Sequence, residues 1–390
     1  MTSSPETIFV ASGFVAKYRE GGGNFSVPLQ YLTGLRRLGK RGIWLELLPR
    51  SDSSAVDQER IGHFIAQMEL YELEYCLLLE PAPNDKKAPK NEPPAHHLEQ
   101  LEAYGVPLQE LHNLAPNSTL LNLSYSLKPP LLQLFGKKLL CSLDPTEVVF
   151  WMDKMEMGQS FHDEFWSVGL CMDQIDSRIP ASPVRWHSYF PLVDTELLNY
   201  QPLPPKEAFR FTTIGQWYWD GCLEIAGQYP DFSKKAAFEP YLSLPQQLPE
   251  VTFELAMNLN QDDPERERLQ GLGWQLTSPH QALQTPQDYY HYLINSLGEF
   301  TAVKLESKMH SGWLSDRAAA FLSIGRPVIT EPTGAEAFLP SEAGLFFVSN
   351  LEEALESCQK VLKDPQYFSQ KARNLAIEYF DATKNLQKML

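Results

Sequence analysis

The chain predicts an α/β protein made of two doubly wound, Rossmann-like domains facing each other across a cleft. Three observations carry this. Short apolar runs alternate with helical periods in two separate series. A proline-rich stretch, Tyr200–Lys206 (YQPLPPK), lies between them. Two loop-to-helix turns stand close together in His310–Gly344 (HSGWLSDRAAAFLSIGRPVITEPTGAEAFLPSEAG). Strands alternating with helices give mostly parallel sheets covered by helices.

The first series opens with the strand Thr7–Ala11, then Gly21-Gly22-Gly23-Asn24. A helix follows, with Leu29, Leu32, Leu35 and Leu38 at helical spacing. Ser26 suits its cap, Pro28 its first turn and Gly39 its end. Ile43–Leu48 and Glu74–Leu79 read as strands around a helix at Asp57–Tyr71. Glu80–His97, rich in Pro, Lys and Asn, reads as a long surface loop that includes His96-His97. Leu120–Leu123 and Leu139–Ser142 are short strands. Val148–Pro180 is rich in aromatics, Met and acids, with weak periodicity.

The second series has strands at Phe209–Ile214, Val251–Met257, Phe300–Lys304, Pro327–Thr330 and Leu345–Val348. Its helices are Pro264–Gly271, Pro286–Leu297 and Trp313–Ile324. Leu351–Lys363, Pro365–Phe380 and Thr383–Leu390 close the chain as helices. The domains are therefore read as 1–200 and 207–375, with 376–390 a helix that packs back on the first.

Composition narrows the class. Two domains suit 390 residues. A net charge of −16, from 33 basic and 49 acidic residues, opposes a nucleic-acid partner. The N-terminus lacks a basic, apolar leader. No apolar run approaches the roughly 18 residues of a membrane span. Five scattered cysteines without C-x-x-C spacing fit reduced thiols in the cytoplasm. Oligomeric state is not legible.

The paired turns near the carboxyl end suit an anion. Exposed N–H groups at helix starts bind phosphates. His310, Ser311, Gly312 and Ser315 offer ring, hydroxyl and backbone donors, although His310 equally suits a cap. Asp316 complements the helix dipole. Arg317 is out of place at a helix start unless it meets an anion. Arg317 and Lys304 are read as meeting a phosphate or a carboxylate in the cleft. Thr333, Gly334 and Glu336 form the second turn, for a further anionic or sugar group. Glu342 is a candidate for the ribose hydroxyls. In the first half, Gly21, Gly22, Gly23 and Asn24 form an acceptor-side loop. His162 beside Asp163 is the candidate general base, against an ordinary polar loop. G-x-G-x-x-G, the P-loop and D-x-D are absent, so no metal and no cofactor is expected.

On these residues the chain resembles the two-domain GT-B glycosyltransferases. It is most similar to a poorly characterised bacterial group. That group's L-Q-Y-x-x-G-L-R-R-L-G is matched by Leu29–Gly39. Its H-D-x-F-x-[ST]-V-G is matched by His162–Gly169. Its S-G-W-[FL]-S-D-R-[AS]-A and G-R-P-V are matched by Ser311–Ala319 and Gly325–Val328. His310–Trp313 also resembles the H-x-G-W of nucleotide-sugar enzymes, whose His meets the donor phosphate. The chain departs from those relatives in four ways. The spacing from this motif to the following G-x-P is longer. An alanine, Ala320, stands where an acidic ribose ligand is expected. The E-x7-E of retaining enzymes is not intact. Gly21–Asn24 occupies the place of the N-terminal catalytic His.

The resemblance implies a hexosyltransferase that moves a sugar from a nucleoside diphosphate sugar to a small-molecule or glycan acceptor. The first domain would take the acceptor and the second the donor. A nucleotide-sugar epimerase or a non-catalytic binding protein on the same fold is the second reading. A dehydrogenase is disfavoured by the missing dinucleotide fingerprint.

Overall fold

The computed structural model describes residues 5–18, 21–81, 98–219, 221 and 223–390. Most of the loop read at 80–97, with His96 and His97, lies outside them, as does Cys222. The other four cysteines are buried free thiols.

The first domain holds an eight-stranded sheet. Its strands are β1 (Thr7–Ala11), β2 (Arg41–Leu48), β3 (Glu74–Leu79), β4 (Glu102–Gly105), β5 (Thr119–Leu123), β6 (Lys137–Ser142), β7 (Glu164–Ser167) and β8 (Trp186–Ser188). The order is β4-β3-β2-β1-β5-β6-β7-β8, and only β4 runs antiparallel. The second domain holds β9 (Arg210–Gly215), β10 (Thr252–Met257), β11 (Gln275–Thr277), β12 (Gly298–Thr301), β13 (Val328–Thr330) and β14 (Leu345–Phe347). Their order is β11-β10-β9-β12-β13-β14, all parallel. All five residues of β5 are buried, as a strand covered on both faces requires. Each sheet separates two apolar cores.

The first strand of each sheet lies inside it. The chain adds strands on one side of β1, then returns to add β5 on the other. It does the same around β9, returning with β12. Each reversal opens a crevice at the carboxyl ends of the strands, where α/β proteins bind ligands.

Among the element starts that differ from the sequence reading, two border the cleft. The first long helix spans Gly22–Arg37, so two of the three glycines are helical and Pro28 lies inside. Glycine is a poor helix former, which hid this start. Gly22 is kept by crowding from the second domain, since a Cβ there would stand 2.2 Å from the Thr285 carbonyl oxygen. The helix expected from Trp313 begins at Asp316, because Ser315 caps it, accepting from Ala318 N–H at 3.0 Å. The segment with weak periodicity holds most of the helix Pro145–Lys154 and the strand β7, and the edge strand β8 follows just beyond it.

The end of the chain crosses to the first domain. The helix Ala382–Met389 lies on the helix Gly22–Arg37, with Ala382 Cβ 2.7 Å from where a Gly34 Cβ would stand. Asp381 receives hydrogen bonds from Arg37 (3.1 Å) and Thr195 (2.6 Å). Arg326 of the G-R-P-V stretch is fully buried. It donates to the carbonyls of Gln201 (2.9 Å) and Pro202 (2.7 Å), which fastens the inter-domain segment to the second domain. Among the described residues no helix is long and apolar enough to cross a membrane.

Candidate functional site

Two adjoining cavities lie in the cleft. One, of about 200 Å³, sits at the β1/β5 crevice. It is lined by Ser12, Phe14, Leu123, Ser124 and Ser126, with Asn24, Val27, Leu143 and Asp144. The other, of about 410 Å³, includes those last four. It adds Gly23, Ile214, Gly215, Tyr289, Trp313, Ser315, Asp316 and Arg317 among its walls. Ile214 and Gly215 end β9, so the carboxyl ends of both sheets open on one continuous space.

Cations gather on the second-domain side. Arg317 lines the cavity, but its charge already has a partner. Nε meets the fully buried Glu299 carboxylate at 2.5 Å, and Nη1 donates to the Ile214 carbonyl at 2.7 Å. The anion that excuses a cation at this helix start is therefore Glu299. Lys304 pairs with Glu306 at 3.3 Å and lies 5.4 Å above the Trp219 ring. The sequence reading missed Lys234, which is 7% exposed. Its Nζ donates to Thr301 Oγ1 at 3.1 Å and to the Ala302 carbonyl. Its Cε lies 3.9 Å from where a Gly215 Cβ would stand. Burial, then the neighbouring Arg317, pushes its pKa down to about 7. Glu299 and Glu331 also stand near Lys234, so its charge is balanced in part by carboxylates already in the fold. Its one sequence signal is position, since it follows Ser233, the cap of a short helix after the first strand of the series.

Carboxyls face those cations. Asp316 lines the larger cavity, and its Oδ1 is buried without a partner. Burial, then Asp144, raises its pKa to about 7. The shift favours the neutral form, which offers an O–H. Asp144 follows β6 and lies on the shared wall of the two cavities. Its side chain is exposed. The protein around it, then Glu147, still raises its pKa above the ordinary carboxylate range.

The first of the paired turns lies against the second. Gly312 N–H donates to the Thr333 carbonyl at 2.8 Å, and Thr333 Oγ1 to the Trp313 carbonyl at 2.7 Å. His310 is exposed, and its ring stands 3.0 Å from where a Gly334 Cβ would be. Ser311 turns inward, donating to the Ser307 carbonyl at 2.6 Å. The second turn differs from expectation. It opens only a three-residue 3₁₀ turn, Ala335–Ala337. Glu336 already accepts from the N–H groups of Thr333 (3.1 Å) and Gly334 (2.8 Å), which leaves them closed to another anion.

Three site expectations need correction. Glu342 lies before β14, at the end of the sheet away from the cleft, and pairs with Lys360 at 2.9 Å. Sequence order alone put it near the turns. Asp163 pairs with Lys138 at the entering end of β6, also away from the cleft. His162 lines neither cavity. Its Nδ1 is 2.8 Å from the Gly158 carbonyl, and its Nε2 is 3.0 Å from Asn122 Nδ2. Both nitrogens are therefore engaged, and burial lowers its pKa. Asn122 in turn braces Leu127 through both backbone groups. His162 thus buttresses the 123–127 turn, whose serines line the smaller cavity. The stretch it belongs to ends in Gly169, which meets the other domain. A Cβ at Gly169 would stand 2.9 Å from the Ser311 carbonyl.

Of the first-half loop, Gly23 and Asn24 line the larger cavity, while Gly22 N–H donates to the Leu283 carbonyl across the interface at 3.1 Å. Ala320 is in that cavity's wall too. Among the described residues no three His, Cys, Asp or Glu side chains come together as a metal site would need.

No known protein family and no curated protein matches the chain by sequence. Solved structures do match in shape. Anabaena HepE in complex with UDP and glucose is 12% identical, with a TM-score of 0.56 over 99% of this chain and 98% of that one. An alpha-glucosyltransferase with UDP-glucose and DNA containing an abasic site is 8% identical, with a TM-score of 0.59 over 99% and 98%. Sucrose-phosphate synthase from Thermosynechococcus elongatus is 12% identical, with a TM-score of 0.50 over 98% and 97%. The fold is therefore that of the two-domain GT-B glycosyltransferases.

Proposed function

We propose that the protein moves a sugar from a nucleoside diphosphate sugar to a hydroxyl-bearing acceptor, without a metal ion. The observation that carries this is the pair of joined cavities at the two crevices. Arg317 lines the second-domain side, with Lys234 buried behind Gly215, and the Asp144 carboxyl stands where the cavities meet. The structures of the same fold hold UDP or UDP-glucose, which favours a uridine donor here.

The roles follow from position. Lys234, with Arg317 beside it, takes the donor diphosphate and offsets the charge that grows on the leaving group. The neutral form of Asp316 donates to a phosphate or sugar oxygen. Asp144 stands next to the acceptor and takes its hydroxyl proton as the acceptor oxygen bonds to the sugar carbon. The sugar–phosphate bond breaks and the nucleoside diphosphate leaves. A carboxyl with a raised pKa is a better base than an ordinary one. Asp144 thus replaces His162 in this role.

Calorimetry with UDP, GDP and dTDP, each with and without EDTA, tests the reading. At least one is expected to bind, unaffected by EDTA. Silence from all three, or binding abolished by EDTA, would sink it. Asp144→Asn is then expected to slow transfer by about 10²–10⁴-fold with UDP affinity kept. Unchanged transfer would remove Asp144 from the chemistry.

A further inference from the structure

The proposed reading leaves the acceptor unnamed, and the wall of the smaller cavity bears on it. Phe14 is 50% exposed and Tyr18 is 48% exposed, unusual for rings on a surface loop. They stack at 6.4 Å with 22° between planes, and Tyr18 N–H donates to the Phe14 carbonyl at 3.0 Å. Lys17 Nζ lies 5.1 Å from the Tyr18 ring centre. Tyr18 therefore backs Phe14, and Phe14 itself forms part of the cavity wall.

Besides this ring the wall holds the apolar Val27, Pro28, Leu123 and Leu143 and a set of hydroxyl, amide and carboxyl groups, of which Asp144 is the one that carries charge. Ser12, Ser124, Ser126 and Asn24 supply the rest of that set. Ser124 and Tyr125 hold consecutive positive φ values of 49° and 55°. Such a backbone persists only when its surroundings impose it; here Ser124 N–H donates to the Cys141 carbonyl, Ser126 Oγ to the Leu123 carbonyl, and Asn122, with His162 behind it, ties down Leu127 at the end of the turn. The hydroxyls are thus set rigidly against one aromatic face. At about 200 Å³ the space is below the roughly 300–1,000 Å³ of drug-sized sites. It takes one ring, and the rest of a larger ligand must run outward past Tyr18.

We propose that this cavity binds a neutral pyranose ring, its C–H face on Phe14 and its hydroxyls on the serines, Asn24 and Asp144. The acceptor is then the end of a saccharide. Three features select that class. A flat apolar face and a hydroxyl-bearing edge are what a sugar ring presents. Among the described residues no cation lines the cavity, so an anionic acceptor has no partner there. A flat phenolic ring would use Phe14 but leave most of the polar wall unpaired. The acceptor role rests on the proposed transfer activity; binding of the ring is a separate observable.

Saturation-transfer NMR on the full chain tests this. The probes are the methyl pyranosides of glucose, galactose, mannose and N-acetylglucosamine, with glucuronate and 4-hydroxybenzyl alcohol as the anionic and flat aromatic alternatives. At least one neutral pyranoside is expected to show saturation at its ring C–H protons. Phe14→Ala is expected to weaken that contact roughly two- to tenfold, the worth of one aromatic contact. Phe14→Trp should keep it. UDP affinity, measured by calorimetry on the same variants, should not move and serves as the control for folding. No pyranoside binding, equal binding by Phe14→Ala, or preference for glucuronate or the aromatic alcohol would overturn the proposal. Pyranoside binding without any nucleotide binding would leave this site standing and remove the transferase reading.

Discussion

Lys234 ties the proposed chemistry to a measurable proton. In the free protein burial and Arg317 hold its pKa down to about 7. A bound diphosphate favours the charged form and raises that value. Binding therefore takes up a proton near pH 7–9, and affinity falls as pH rises through that window. UDP-glucose suits the test, since calorimetry in two buffers of different ionisation enthalpy reads the proton directly. Lys234→Met is expected to abolish the uptake and cost about 1.5–3 kcal/mol of binding, the range for hydrogen bonds to charged groups. Uridine affinity should stay unchanged; an equal loss for uridine would mean general damage. The place of Lys234 after the Ser233 cap is its one trace in the sequence. The turn at 310–317 is distant from it along the chain, and the fold brings Lys234 near that turn at the start of the helix Lys234–Phe238. His162 went astray for the opposite reason, since its acidic and aromatic neighbours look catalytic while both its nitrogens face inward. His162→Ala is expected to cost about 1–3 kcal/mol of stability by leaving Asn122 under-bonded. Turnover at saturating acceptor should stay close to wild type, and a fall of 10²-fold or more would restore it to the chemistry.

At the scale of elements, the pattern of strands and helices was legible because buried parallel strands are short apolar runs. Glu74–Leu79 and Leu351–Lys363 have the bounds the residues suggest. The early start at Gly22 goes with a contact between domains, and the late start at Asp316 with the local Ser315 cap. Gly22 and Gly23 show the first as a contrasting pair. Each is in the first turn of a helix, where alanine normally adds about 0.5–1 kcal/mol over glycine. At Gly22 the new Cβ meets the Thr285 carbonyl at 2.2 Å, whereas at Gly23 it meets only the Tyr289 ring at 3.5 Å. Gly22→Ala is therefore expected to destabilise by about 1–3 kcal/mol, as overpacking does. Gly23→Ala should be neutral or stabilising. Urea unfolding of both variants decides it, and equal stability would mean that the domains do not press together at this point in solution. The same logic explains the resembled stretches at 162–169 and 311–319. Leu170 and Cys171 N–H groups donate to the carbonyls of Gly312 (3.3 Å) and Ser311 (3.2 Å). Much of what looks like a catalytic signature holds the two domains in register.

Across the whole molecule the two domains are joined three times, not once. The chain passes over at 200–206. Leu223, Ile225 and Phe232 of the second half lie in a core of the first domain. The last helix returns with Ala382, Leu386 and Met389, all at most 2% exposed. Its apolar face completes the core around Tyr31, Leu32 and Leu35. Cutting the chain after Asp381 keeps the Arg37 and Thr195 bonds but uncovers that core. Burying a Leu or Met side chain contributes about 1.5–3 kcal/mol, so losing Leu386 and Met389 removes roughly 3–6 kcal/mol. That is a large part of the ~5–15 kcal/mol that holds a typical domain. The loss falls on the first domain alone. The truncated chain is expected to melt in two calorimetric transitions, with the first domain unfolding first. UDP-glucose, held mainly by the second domain, should raise the upper transition and barely move the lower one. A single transition at the wild-type temperature would show that the helix adds nothing to the first core. Two transitions both raised by UDP-glucose would show that the donor is gripped equally by both domains, and the division of labour across the cleft would have to be redrawn.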